Sequence, residues 1–209
     1  MKKLLFLVAS ICAFSYVQPV FAGNKSVFVE PASIEHYTFD KAHTQILFFV
    51  DHLGFSKSQG EFLEFDGFFN FNLDHPEDSN VDIIINVSGL DMDNEKWNVH
   101  MKSADFFNIE KFPIMTFKST SIKVTGKKTA NITGDFTLLG MTKPVVLAVT
   151  HNKSDKHAFS GKYVSGFSAT TTIKRSDFGM NYGLPMIGDD VEIRLEVEGL
   201  RTEAEAAKE

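Results

Sequence analysis

Apolar and polar residues alternate along most of this chain. Between residues 191 and 198, Val191, Ile193, Leu195 and Val197 alternate with Glu192, Arg194, Glu196 and Glu198. A period of two sends successive side chains to opposite faces of a β-strand. Residues 81–88 repeat the pattern, with Val81, Ile83, Ile85 and Val87 on one side, Asp82, Asn86 and Ser88 on the other, and Ile84 as the lapse. Residues 162–174 set Phe167, Ala169, Thr171 and Ile173 against Gly166, Ser168, Thr170 and Thr172. Further strands are expected over 35–40, 115–125, 129–138 and 144–152, separated by the turn residues 126–128 and 140–143. The Phe-rich stretch 43–73 is divided by Gly54, Gly60 and Gly67 into short strands. In its first strand, Leu47 and Phe49 share the outer face with Asp51, and Ile46, Phe48, Val50 and His52 point the other way.

One segment breaks this rhythm. Over 91–102, Trp97, His100 and Met101 recur at helical spacing behind Asp91, Asp93 and Asn94, any of which can cap a helix start. A single short helix is predicted there, followed by a loop to Pro113. Many short strands with one helix indicate an all-β sandwich or barrel. Consecutive hairpins without a long crossover favour an up-and-down antiparallel barrel of about eight strands, which is just wide enough to be filled by side chains or to hold one slender ligand.

Composition sharpens the picture at two points. The aromatic residues are 21 Phe against 4 Tyr and 1 Trp. Phe lacks the polar handle of Tyr and Trp, so a wall of it suits contact with hydrocarbon, either the protein's own core or a bound chain. Residues 1–22 have the form of a cleaved signal peptide: Lys2 and Lys3, an apolar stretch, and Val20, Phe21 and Ala22 before the cut. That stretch is too short to span a bilayer, and it holds the sole cysteine, Cys12. A chain so processed enters an oxidising compartment without disulfides to stabilise it. Residues 23–32 are then a flexible leader, 33–201 one domain, and 202–209 a polar tail. The net charge of −6 becomes more negative once the two signal lysines are removed, which disfavours nucleic acid and a polybasic grip on anionic lipid.

Residues 94–119, NEKWNVHMKSADFFNIEKFPIMTFKS, closely resemble the YceI-like family of exported lipid-binding proteins. The likeness extends to the turn His52-Leu53-Gly54-Phe55-Ser56, to Gly60-x-Phe62, to ITGDFTLLGMTKPV at 132–145, and to the stretches 175–180 and 184–189. The resemblance implies a lipocalin-like barrel, open at one end, whose interior takes up a polyisoprenoid such as a quinone tail or polyprenyl phosphate. It brings no established catalytic residue. It leaves room for a membrane redox or lipid-handling partner and for a homodimer, although the sequence displays no interface.

Strand parity then assigns the lining of such a channel to Ile46, Phe48, Val50, Phe69, Phe71, Ile83, Ile85, Met115, Phe117, Phe136, Phe167 and Ile193. Trp97 and Met101 on the helix are the expected gate at the mouth. His52, His100, Lys102 and Arg175 are the expected partners of a polar headgroup, with Arg175 suited to phosphate by its two-pronged guanidinium. No metal or other cofactor is expected: the seven histidines are scattered, and Asp91-x-Asp93-x-Glu95 carries Lys96 where a calcium loop needs Gly. The chain has no Gly-x-Ser-x-Gly elbow. Two other readings are an exported lipid-modifying or hydrolytic enzyme working at the mouth through His52 or His100, and a filled barrel that acts only through its loops.

Overall fold

The computed structural model describes residues 33–202. The expected signal peptide and leader, and the tail after Thr202, lie outside the described residues. Eleven strands form one antiparallel sheet: β1 (Glu35–Phe39), β2 (Gln45–His52), β3 (Ser56–Phe62), β4 (Phe65–Phe71), β5 (Asn80–Asn86), β6 (Leu90–Asp91), β7 (Ile114–Val124), β8 (Thr129–Leu138), β9 (Met141–Lys156), β10 (Tyr163–Lys174) and β11 (Ile187–Thr202). The one α-helix among the described residues, α1 (Glu95–Lys102), lies between β6 and β7.

The pairings reduce these strands to eight. β11 pairs with β1 through Gly199–Thr202 and with β2 through Glu196–Ile187, so β1 and β2 are one long strand interrupted at 40–44. β4 pairs with β1 and β3 with β2, which makes β3 and β4 a second interrupted strand. β5 and β6 pair with β4 and β3 respectively and form a third. β7 to β11 follow as successive hairpins, and β11 closes the ring on β1. The result is the up-and-down, eight-stranded antiparallel barrel that the patterning predicts.

The interruptions have local causes. Leu63 donates its backbone N–H to Gly89 and Asn86 donates to Glu64, so the breaks at 63–64 and 87–89 face each other and bend the two strands together. Val87 therefore sits in a 3₁₀ turn (Val87–Gly89), not in the strand expected over 81–88. The turn expected over 140–143 is shorter than the sequence suggests. Leu139 and Gly140, both with positive φ, make a two-residue hairpin, and β9 begins at Met141. Pro144 is tolerated in β9 because its ladder there runs on one side only, toward β8; β10 joins at Ala148.

The inner face is aromatic. Phe39, Phe48, Phe62, Phe65, Phe69 and Phe71 are buried, and Phe69 packs on Tyr37 with ring centroids 4.9 Å apart. Gly60 makes room for this: a Cβ there would stand 2.3 Å from the Phe48 ring and 2.4 Å from Met92 Sδ. The outer face of β11 is charged, with Glu192 paired to Lys57 of β3; Arg201, which has the inward parity, pairs with Glu35 of β1 at 2.5 Å where the strands end.

A cap covers one end. Asn94 accepts a bond from the Trp97 N–H and so starts α1. Asn98 ties the helix down: its Oδ1 accepts from the Met92 N–H at 2.7 Å and its Nδ2 donates to Asp91 at 2.9 Å. Phe106 and Phe107, in the loop that follows, are buried, and Phe107 meets Phe62 edge-on at 5.6 Å.

Candidate functional site: an apolar channel through the barrel

The inward side chains do not meet at the axis. They leave a cavity of about 530 Å³ that runs from the α1 end, at Trp97, Met101 and Tyr182, to the opposite end, at Leu73, Ser79 and the Gly126–Thr129 turn. From the ten residues of β8, a rise of about 3.4 Å per residue and a strand tilt near 40°, the channel is roughly 25 Å long. All twelve side chains assigned by parity, from Ile46 to Ile193, stand on its wall. Alternation places them there: Ile83 lies opposite Phe117, Phe117 opposite Phe136, and Phe48 opposite Ile193 in the ladder register.

Some wall residues carry no period-two signal in the sequence. Phe106 and Phe107 come from the loop after α1, and Tyr182 from the segment after β10. Their apolar character was visible, but nothing local says which way an irregular loop turns its side chains. Val145, Leu147 and Val149 of β9 do alternate, and parity alone would have found them.

The four residues expected to meet a headgroup divide in the structure. His52 and His100 line the α1 end of the cavity. His52 stands 6.4 Å from the Trp97 ring, and His100 Nε2 lies 3.0 Å from Asp105 with its ring edge-on to Tyr182. Lys102 is not on the wall, since α1 turns it away. Arg175 touches the cavity but is 3 % exposed. Its guanidinium donates to the carbonyls of Gly188, Met180, Tyr182 and Ile187 at 2.7–3.0 Å. Four of its five N–H groups thus clamp the 176–188 segment against the barrel, which corrects its reading as a free fork for phosphate: it is a structural staple. The two residues expected to form a gate, Trp97 and Met101, line the α1 end of the cavity, Trp97 46 % exposed and Met101 half-buried.

At the other end the wall holds a partly buried chain of polar side chains. His151 packs between Phe71 and Phe167, both at 5.1 Å, with Nε2 2.8 Å from Ser154 Oγ, which in turn is 2.7 Å from Ser165 Oγ. Burial, and secondarily Lys128, lower the imidazole pKa below its ordinary value. Among the described residues, one group brings potential metal ligands within 4.8 Å of one another: Asp40, His43 and Glu198. His43 and Asp40 already satisfy each other at 3.0 Å, which lowers the carboxyl pKa and raises that of the imidazole.

An eight-stranded antiparallel barrel with a continuous, mainly apolar cavity has the architecture of the small-molecule-binding barrels. Residues 37–199 match the YceI-like domain model, and the chain belongs to that family. A UPF0312 protein of Ectopseudomonas mendocina is 42 % identical over 167 residues, covering 79 % of this chain and 87 % of the relative. A variant of the Campylobacter jejuni YCEI protein superposes with TM-score 0.68 at 31 % identity, over 80 % of this chain and 98 % of that one. A polyisoprenoid binding domain from Saccharophagus degradans, implicated in plant cell wall breakdown, shares the fold at TM-score 0.62 and 10 % identity, over 81 % of this chain and 100 % of that one. Among the described residues, no helix is long and apolar enough to cross a membrane.

Proposed function

We propose that the chain is a periplasmic carrier that holds one long apolar lipid, of the polyisoprenoid class, along the barrel axis. The observation that carries this reading is the continuous cavity of about 530 Å³ with a wall built mainly of Phe, Ile, Val, Leu and Met side chains. Burial of hydrocarbon stabilises by about 0.8 kcal/mol per methylene, so a five-carbon isoprene unit contributes roughly 3–4 kcal/mol gross before ordering costs. A few units suffice for tight binding without a strong polar contact. A slender branched chain also suits a wall of flat rings and β-branched side chains better than a bulky fused-ring lipid does. The Saccharophagus domain is consistent with this use of the architecture. Export follows from the signal-peptide pattern of residues 1–22.

The test is loading. Delipidated protein is mixed with isoprenoid alcohols of increasing chain length and followed by native mass spectrometry. One-to-one complexes whose affinity rises with each added unit, and then levels off as the chain outgrows the channel, support the reading. Affinity independent of chain length would refute it. Loss of a hydrolytic activity when His100 is replaced would instead favour an enzyme.

A further inference from the structure

We propose that the α1 end of the barrel is a docking surface for the plane of a neutral lipid bilayer, with the Leu53–Phe55 turn and Met186 as its insertion points. The inference rests on the carrier reading above. Three elements form a continuous rim around the mouth. The β2–β3 turn is joined to the 176–186 segment by the Leu53 N–H, which donates to the Met186 carbonyl at 3.0 Å. The turn meets the helix where His52 approaches Trp97 at 6.4 Å, and the helix meets the segment where His100 approaches Tyr182 at 5.4 Å. His52, Trp97, His100 and Tyr182 also line the cavity, so the rim is where its wall reaches the surface.

This rim exposes hydrocarbon to water. Phe55 is 88 % and Met186 64 % exposed, with Leu53, Tyr182 and Trp97 about half exposed beside them. Single exposed apolar residues are ordinary, but a set gathered around the mouth of an apolar channel marks an interaction surface. Indole and phenol rings suit the headgroup layer, and Phe, Leu and Met suit the acyl layer beneath it. The occupant follows from the cargo. A long apolar lipid in an aqueous compartment is dissolved chiefly in bilayers, so the most direct way to fill a channel that takes one is to open its mouth against a bilayer. The charges nearby are of mixed sign: Asp51, Asp93, Glu95 and Asp105 against Lys96, Lys102 and the paired Lys57. A rim of this kind suits a zwitterionic surface and lacks a polybasic patch for an anionic one. The far end differs, because there Leu73 and Val124 stand beside Lys127, Lys128, Ser79 and Asn80. Ile34, Leu73 and Val124 are about half exposed there, and the most exposed apolar side chain on that side, Phe159, lies on a hairpin away from the cavity wall.

Trp97, the single tryptophan of the chain, is a built-in probe. The full chain is mixed with phosphatidylcholine vesicles that carry bromine on their acyl chains, and lipid transfer between vesicle populations is timed alongside. Quenching of Trp97 is expected. The double variant Phe55→Ser/Met186→Ser is expected to slow transfer at least tenfold while its equilibrium loading with isoprenoid alcohol stays at the wild-type level. Phe159→Ser is expected to transfer at the wild-type rate. An unquenched Trp97 with unchanged transfer in the double variant overturns the docking surface and leaves the carrier reading intact. So does loss of transfer in Phe159→Ser alone. Binding to native membrane vesicles that protease treatment abolishes, with none to pure lipid, overturns it in favour of a protein partner. Failure of the wild-type chain to load any isoprenoid refutes the carrier reading itself.

Discussion

Ala169→Leu separates a hollow barrel from a filled one through the sign of its effect on stability. Ala169 is buried on β10, in register with Leu195 of β11 and Val149 of β9, and its methyl group faces the cavity. Leucine adds three carbons at that point. Burying them against Phe117 and Leu147, which pack with Ala169, is worth about 2.4 kcal/mol at 0.8 per carbon. Ordering the longer side chain costs about 0.5–1 kcal/mol. The delipidated variant should therefore be about 1.5 kcal/mol more stable, read as a higher urea midpoint at unchanged slope. In a close-packed core the same change would be destabilising by about 1–3 kcal/mol. The added isobutyl group also occupies space that the ligand would use. If the ligand forfeits three carbons of burial, affinity for an isoprenoid alcohol falls roughly 50-fold. A variant that is destabilised and loads lipid like the wild type would refute both the hollow and its use.

Three further predictions follow from particular contacts. His151→Asn should flatten the acid limb of the stability profile: the partly buried imidazole has its pKa lowered in the fold, so its contribution is complete above the unfolded value of about 6.5 and is lost as pH falls through the folded one. Urea titrations between pH 7.5 and 5 read this, and an unchanged slope in the variant would contradict it. Arg175→Met strands the carbonyls of Gly188, Met180, Tyr182 and Ile187; at about 1–3 kcal/mol for each one left buried and unpaired, stability should fall by several kcal/mol. Hydrogen exchange should then rise first over residues 176–188, and uniform loosening would count against the staple. Asn98→Ala removes the bonds that hold α1 to Met92 and Asp91 and should lower stability by about 1–2 kcal/mol; lipid release should accelerate if α1 is a gate and stay constant if it is a fixed plug.

The β-barrel was legible because period-two patterning is strong where one face of a strand is apolar. The runs Val191–Val197 and Val81–Ile85 state both the strand and its inward face. The helix was legible through the spacing of Trp97 and Met101 behind a capping Asn94. What escaped depends on distant partners. The breaks at 63–64 and 87–89 exist because two neighbouring strands bend together, and neither sequence alone announces it. Arg175 gives no hint of burial, since the carbonyls that hold it belong to a segment that folds back from residues 180–188. Phe106 and Phe107 complete the wall from a loop, where no periodicity assigns a face. Parity places side chains on the inner surface of a barrel, but it does not report whether those side chains meet in the middle. That depends on how eight strands tilt and close.

The most direct measurement is native mass spectrometry of the protein purified from its own host without detergent, before and after extraction with organic solvent. The carrier account predicts a bound mass that extraction removes and that analyses as a single isoprenoid chain per protein. A spectrum showing only the bare polypeptide, together with a delipidated form that no isoprenoid can load, would contradict it.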